Sequence, residues 1–388
     1  MKIIRTIAKW ALSLLLIAVI ISWGLWLLNS PIEFDQASLS QQRLDAGAYK
    51  VERIDLKIVD QSRTTPAMGK YDGDDTRTLN GSIWYPSSND SNTPAEKHPL
   101  IVFSHGFGSY HQGCRHIAQF LARNGYVVAA VDFPLSYMRS PAGSPQLLDV
   151  ANQPGDVSAV IDRLLELDQD AKSPLHKRID TEKIGAMGLS LGGLTTALVS
   201  FHPDLKDDRI DAMAAFAPPL EAFSAEFFAT NDLPSLVISG SQDKIVPESV
   251  NATEIQAMHP NGLFLSVEGG THLGFANVGS WLRMTESPDN LGCTLIDYNL
   301  EKLTLPESWS EVIPNTNGIL RDISVGEPCP ELAGIAMNPT KQQWLTRVAV
   351  GAFFDMNLRT GDRAESARQY FRQQMVSENS ELTLKGPS

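Results

Sequence analysis

No internal repeat and no low-complexity block interrupts this chain of 388 residues. A propeller or other stacked-repeat architecture is excluded, because such folds show a regular period in sequence. A surplus of positive charge is missing as well. Against 45 aspartates and glutamates stand 32 lysines and arginines, a formal net charge of -13. No nucleic-acid partner is expected, since phosphate binding wants a basic face. Cysteine is scarce, with three in the whole chain. His111 and His116 lie close together in sequence, yet no acidic residue at ligand spacing accompanies them, so no metal site is expected. No other cofactor and no protein partner is expected either.

The first 30 residues are unlike the rest. Lys2, Arg5 and Lys9 precede the uncharged run 10–28, "WALSLLLIAVIISWGLWLL". As a helix this run would be roughly 28 Å long, close to the hydrocarbon thickness of a bilayer. Trp10, Trp23 and Trp26 stand near its ends, where interfacial rings are favoured. No A-x-A-like cleavage site follows, and Pro31 sits where processing would fall. A transmembrane signal anchor retained over 1–30 is therefore expected rather than a cleaved signal peptide. Basic residues before the span would keep the N-terminus cytoplasmic, with the remaining chain on the extracytoplasmic (periplasmic or extracellular) side. A polar stem is expected over 31–47, and one domain over 48–388.

That domain opens with β-rich runs, "AYKVERIDLKIVD" and "TRTLNGSIWYP". From residue 99 buried strands alternate with amphipathic helices. "PLIVFSHG", "YVVAAVDFP", "KIGAMGLS", "IDAMAAFAP", "PSLVISGSQD" and "GLFLSVEGGTH" read as strands, separated by helices near 113–124, 154–168, 191–201 and 248–258. Such alternation predicts an α/β fold, a mostly parallel, doubly wound sheet with helices on both faces. The stretch 276–338 is rich in Pro, Gly, Asn and Ser and reads as a loop-rich insertion. Helices near 339–357 and 361–377 follow. Cys114 falls in a predicted helix, while Cys293 and Cys329 share the loop-rich stretch. A disulfide between those two would contribute about 3 to 4 kcal/mol in an oxidising compartment. Free thiols are the alternative.

"GLSLGG" places Ser190 on a strand-turn-helix, flanked by Gly188, Gly192 and Gly193. A serine hydroxyl is a poor nucleophile until a base takes its proton and a third group orients that base. On a doubly wound sheet all three come from loops at the carboxyl ends of strands. Asp243 follows the run "LVISG" and His272 follows "FLSVEGG", giving the chain order Ser, Asp, His. Oxyanion stabilisation needs backbone N–H donors. Leu191, just after the serine, and Phe107, between Gly106 and Gly108, are the candidates. His105 reads as structural, bonding within its own loop. Asp132 precedes the serine and Asp211 begins its strand, so neither fits as the acid. Asp243 as a turn residue and His272 as a surface histidine are the plain alternatives.

Together "GSIWYP", "IVFSHGFGSY", "LARNGYVVAAVDFP" and "GLSLGG" resemble the α/β-hydrolase superfamily, and more narrowly its platelet-activating factor acetylhydrolase and dienelactone-hydrolase-like branch. The resemblance covers roughly residues 76–275 and implies the α/β-hydrolase fold and a serine esterase or lipase. Its triad would be Ser190, Asp243 and His272, acting on a short-chain acyl ester or lipid-like substrate. Dienelactone hydrolases proper use a cysteine nucleophile where this chain has Ser190. The "GSQDKIVP" loop instead resembles the acid loop of cutinase-like and polyester-hydrolysing relatives. A peptidase or thioesterase on the same triad, or a silent membrane-tethered binding module, are the other functional readings. Phe275 and Trp281, beside the insertion, are expected to suit an apolar acyl group.

Overall fold

The computed structural model describes residues 2–87, 96–221, 223–248, 255–300, 313, 315, 317–319, 329–331 and 334–386. Among these, nine strands form one sheet: β1 (Lys50–Asp60), β2 (Arg77–Ser87), β3 (His98–Ser104), β4 (Val127–Asp132), β5 (Ile179–Leu189), β6 (Ala212–Phe216), β7 (Ser235–Gly240), β8 (Gly262–Val267) and β9 (Leu382–Lys385). Their order is β1-β2-β4-β3-β5-β6-β7-β8-β9. The run from β4 to β8 is parallel, while β1, β2 and β9 join antiparallel at the edges. Parallel neighbours need crossovers, and helices supply them here. Arg115–Arg123 links β3 to β4, Gln153–Gln169 links β4 to β5, and Leu191–Phe201 links β5 to β6.

The strand code shows why both faces are covered. Every residue of β3 is buried, and successive side chains point to opposite faces. Leu100 and Val102 join the core with Val157, Val160, Ile161 and Leu164 of helix Gln153–Gln169. Ile101 and Phe103 pack on the opposite face with Ile117 and Leu121, and with Val348 and Phe353 of helix Pro339–Leu358. Burying each such side chain is worth about 1.5 to 3 kcal/mol, so loss of the alternation would unseat a whole layer.

The C-terminal helix expected over 361–377 is interrupted. Gly361–Gln369 gives way to a π-helical turn at Tyr370–Gln374, followed by Met375–Glu378. The turn buries Tyr370 and Phe371 and brings the Tyr370 hydroxyl 2.9 Å from Ser40 Oγ. Ser40 belongs to helix Leu39–Asp45, within the stretch read as a polar stem. Glu378 accepts the N–H groups of Leu39 and Ser40 at 3.0 and 2.9 Å, tying that helix to the domain.

The membrane anchor expected over 1–30 is corrected. Residues Lys2–Leu28 form a helix, but among the described residues no helix is long and apolar enough to cross a membrane. The membrane partner and the extracytoplasmic location that rested on this anchor lose their support with it.

Candidate active site

Ser190 lies between β5 and helix Leu191–Phe201 with φ 56° and ψ -121°. For a residue with a Cβ this left-handed φ is strained, by about 1 to 3 kcal/mol, and the surroundings enforce it. Ser190 N–H donates to Phe216 O at the end of β6 (2.8 Å), and its own carbonyl accepts from Leu194 N–H (3.0 Å). The flanking glycines are obligatory for close approach. A Cβ on Gly188 would sit 2.1 Å from Gly192 O, and one on Gly192 would sit 2.1 Å from Ser104 O. A side chain at 188 would push the helix start off the strand, and one at 192 would push it away from the end of β3.

Helix Leu191–Phe201 starts immediately after the serine, so Leu191 N–H belongs to the first turn, where helical N–H groups lack intrahelical partners and the dipole is positive. The loop bearing Phe107 comes in from β3. A Cβ on Gly106 would lie 3.3 Å from Ser190 Cβ, which places this loop against the serine. Its shape is fixed by Ser109 N–H donating to Gly106 O (3.0 Å) and Gly108 N–H donating to Ser136 O (2.9 Å). Beneath the loop His105 is fully enclosed, with Nδ1 2.8 Å from Gly106 O and Nε2 accepting Phe133 N–H at 3.1 Å. Burial pulls its pKa down to about 4, so it is a neutral loop brace.

The loops after β7 and β8 are zipped together. Gln242 N–H donates to Gly270 O (2.8 Å), and Gly269 N–H donates to Ser241 Oγ (2.9 Å). This pairing delivers Asp243 to His272, with Oδ2 2.8 Å from Nδ1. Both side chains are buried. The other carboxylate oxygen, Oδ1, accepts the N–H groups of Ile245 and Val246 at 2.9 and 2.7 Å, so the acid is aimed by its own loop. Burial opposes a charged imidazole, but the charge of Asp243 and its hydrogen bond outweigh burial, and Asp289 adds to them. The His272 pKa is therefore held above its ordinary value.

Two side chains that sequence reasoning missed hold this arrangement. Gln342, from helix Pro339–Leu358, accepts Thr271 N–H at 2.9 Å and donates to Thr271 O at 2.8 Å, fixing the residue before His272. Asp289 begins helix Asp289–Leu300 and binds the backbone of His272 and Leu273. Neither has a signature in spacing, because a side chain that grips backbone atoms needs only proximity. Cys293 and Cys329 are joined by a disulfide across 36 positions. Cys114 is a buried free thiol whose pKa burial pushes up to about 12.

Phe275 does not line the open acyl pocket expected of it. Phe275 is fully buried and stacks on Phe216 with centroids 6.1 Å apart, whereas Trp281 is 81% exposed. Phe275 closes the short helical turn Leu273–Phe275 and points inward, and the helix Asn277–Trp281 carries the tryptophan to solvent.

A family described as PETase, PET hydrolase-like, matches residues 73–285. Cutinase 2 of Thermobifida cellulosilytica is 24% identical over 196 residues, 50% of this chain and 64% of that protein. Cutinase est1 of Thermobifida alba is 26% identical over 196 residues, 50% and 57% of the two chains. A bis(hydroxyethyl) terephthalate hydrolase of Streptomyces coelicolor is 24% identical over 227 residues, 58% and 60%. Each match thus spans less than two thirds of the relative's length. Among solved structures, a ferulic acid esterase from Streptomyces cinnamoneus superposes with a TM-score of 0.52 at 20% identity, covering 88% of this chain and 98% of that one. At that identity the likeness shows the fold. These matches overturn the narrower resemblance to platelet-activating factor acetylhydrolases and dienelactone hydrolases. The acetylhydrolase-like label goes with it, and the "GSQDKIVP" loop was the more informative segment.

Proposed function

From the premise that the chain belongs to the PET hydrolase-like family of α/β-hydrolases, we propose that it is a serine-type carboxylic ester hydrolase working through an acyl-enzyme. The observation that carries this reading is the buried Asp243–His272 pair at 2.8 Å, on the same edge of the sheet as the strained Ser190 turn. Ser190 Oγ attacks the ester carbonyl carbon while its proton passes to His272 Nε2. Asp243 accepts the Nδ1–H bond and stabilises the imidazolium. The N–H groups of Phe107 and Leu191 receive the oxyanion of the tetrahedral intermediate. Collapse breaks the C–O bond to the alcohol, which leaves with the proton held by His272. A water activated by the same imidazole then splits the acyl-enzyme, releasing the acid and restoring Ser190.

The segment 276–338 serves in this proposal as an insertion beside the site on the domain 48–388. It is supported by Cys329 N–H donating to Lys244 O, next to the acid, at 2.8 Å. The relatives' names point to a panel of p-nitrophenyl esters of two to twelve carbons together with bis(hydroxyethyl) terephthalate. Turnover of one or more members is expected, lost by about 10⁶-fold in Ser190→Ala. Equal turnover by the folded Ser190→Ala variant would overturn the proposal.

A further inference from the structure

Asp289 is a fully buried carboxylate, and both of its oxygens are occupied by backbone donors from two different loops. Oδ1 accepts Leu273 N–H at 2.8 Å. Oδ2 accepts His272 N–H at 2.9 Å and Lys244 N–H at 3.1 Å. Lys244 directly follows Asp243, so one side chain grips the neighbour of the acid and the backbone of the histidine at once. It comes from outside the stretch matched by the family, which ends at residue 285. Its helix is held in turn by the Cys293–Cys329 disulfide, and Cys329 N–H donates to Lys244 O at 2.8 Å. The acid loop is thus clamped through both backbone groups of Lys244.

We propose that Asp289 is a positioning residue for the Asp243–His272 pair, a second carboxylate that fixes the two loops relative to each other and adds negative charge behind the imidazole. The proposal rests on the reading of His272 as the general base. Acceptance of three N–H bonds suits an ionised carboxylate, which is acceptor-only and has about four lone-pair sites to offer. Burial and the nearby Asp243 push the other way and raise the Asp289 pKa, against which His272 and the backbone donors act. The charged groups acting on His272 are Asp243 from the acid loop and Asp289 from helix Asp289–Leu300. Helix Pro339–Leu358 contributes the neutral Gln342, and Lys244 Nζ turns aside to Asn290 Oδ1 at 3.2 Å. A negative charge here favours the imidazolium, so its removal lowers the His272 pKa.

The test is Asp289→Asn in the full chain, read by NMR titration of the His272 ring (assigned by its absence in His272→Gln) and by the pH profile of p-nitrophenyl butyrate hydrolysis. The His272 pKa and the acid limb of kcat/KM should both fall by about one unit. If that unit reflects lost stabilisation of the imidazolium, kcat falls by about tenfold. Asp289→Glu, which keeps the charge, should restore most of the shift. A folded Asp289→Asn protein with an unmoved His272 pKa and acid limb would overturn the proposal, even if its Tm fell. Should Asp289→Asn fail to fold, Asp289→Ser, which keeps a hydroxyl acceptor without the charge, is read in the same way, and an unmoved His272 pKa in it overturns the proposal. Because the ring titration needs no substrate, absence of ester turnover in the wild type would count against the esterase reading alone.

Discussion

Gln153 is the residue whose replacement probes the oxyanion loop most sharply. Its Nε2 donates to Ser136 Oγ at 2.8 Å, and its Oε1 accepts the Thr195 hydroxyl. All three side chains are fully buried. The chain of bonds joins helix Leu191–Phe201, which begins with one proposed oxyanion donor, to Ser136, whose carbonyl holds Gly108 N–H beside the other. Gln153→Leu keeps the size and removes the amide. Thr195 has a fallback, because its hydroxyl already reaches Leu191 O at 3.0 Å. The Ser136 hydroxyl loses its donor in a dry site, which costs about 1 to 3 kcal/mol. Ser136→Ala strands the Gln153 amide at a similar cost, whereas the double variant removes both partners and should be close to neutral. Urea unfolding of the four proteins should therefore show a coupling of about 2 kcal/mol or more, the two single costs that the double variant escapes. Kinetically the order differs. Every variant loosens the loop carrying Phe107, so kcat should fall by about tenfold in each, well short of the 10² to 10³ for outright loss of a donor, with KM unchanged. Stability costs that add to within about 0.3 kcal/mol would refute the linkage, as would a double variant that regains kcat along with stability.

Two further outcomes follow from the same geometry. Closing a loop across 36 positions removes about 4 kcal/mol of unfolded-state entropy, so Cys293→Ala/Cys329→Ala should lose about that much in denaturant unfolding; a loss under about 1 kcal/mol would mean that the insertion is held by its other contacts. Because Asp243 and Asp289 hold the His272 pKa above its ordinary value of 6.5, the acid limb of kcat/KM should lie above pH 6.5. With the folded pKa the higher one, this ionisation stabilises the fold fully below pH 6.5, and the contribution fades as pH rises through the folded value. An acid limb below 6.5 in the rate profile would contradict that sign.

Much of the sheet was legible because burial on both faces writes uninterrupted apolar runs. "PLIVF" and "YVVAAV" announce β3 and β4 directly, and β1 and β2 show up as β-rich runs ahead of them. Ser190, Asp243 and His272 could be singled out because each follows such a run in the order that an α/β-hydrolase requires. Asp289 could not. It stands 17 residues past His272 in a stretch read as loop, and the helix it starts was invisible among Pro, Gly and Asn. Phe275 was misread because an aromatic just past the histidine loop suits a pocket and a core equally well, and only packing against Phe216 decides. The apolar run 10–28 carried the strongest composition signal in the chain, yet a membrane crossing is a claim about a helix, and the described residues contain none that meets it.

The central claim is that Ser190 is the nucleophile activated by His272. Its most direct measurement is mass-spectrometric mapping of the adduct formed when the full chain reacts with a fluorophosphonate. One adduct on the peptide bearing Ser190 is predicted, absent in Ser190→Ala and slowed in His272→Gln. An adduct on another residue, or ester turnover that survives full modification of Ser190, would contradict the account.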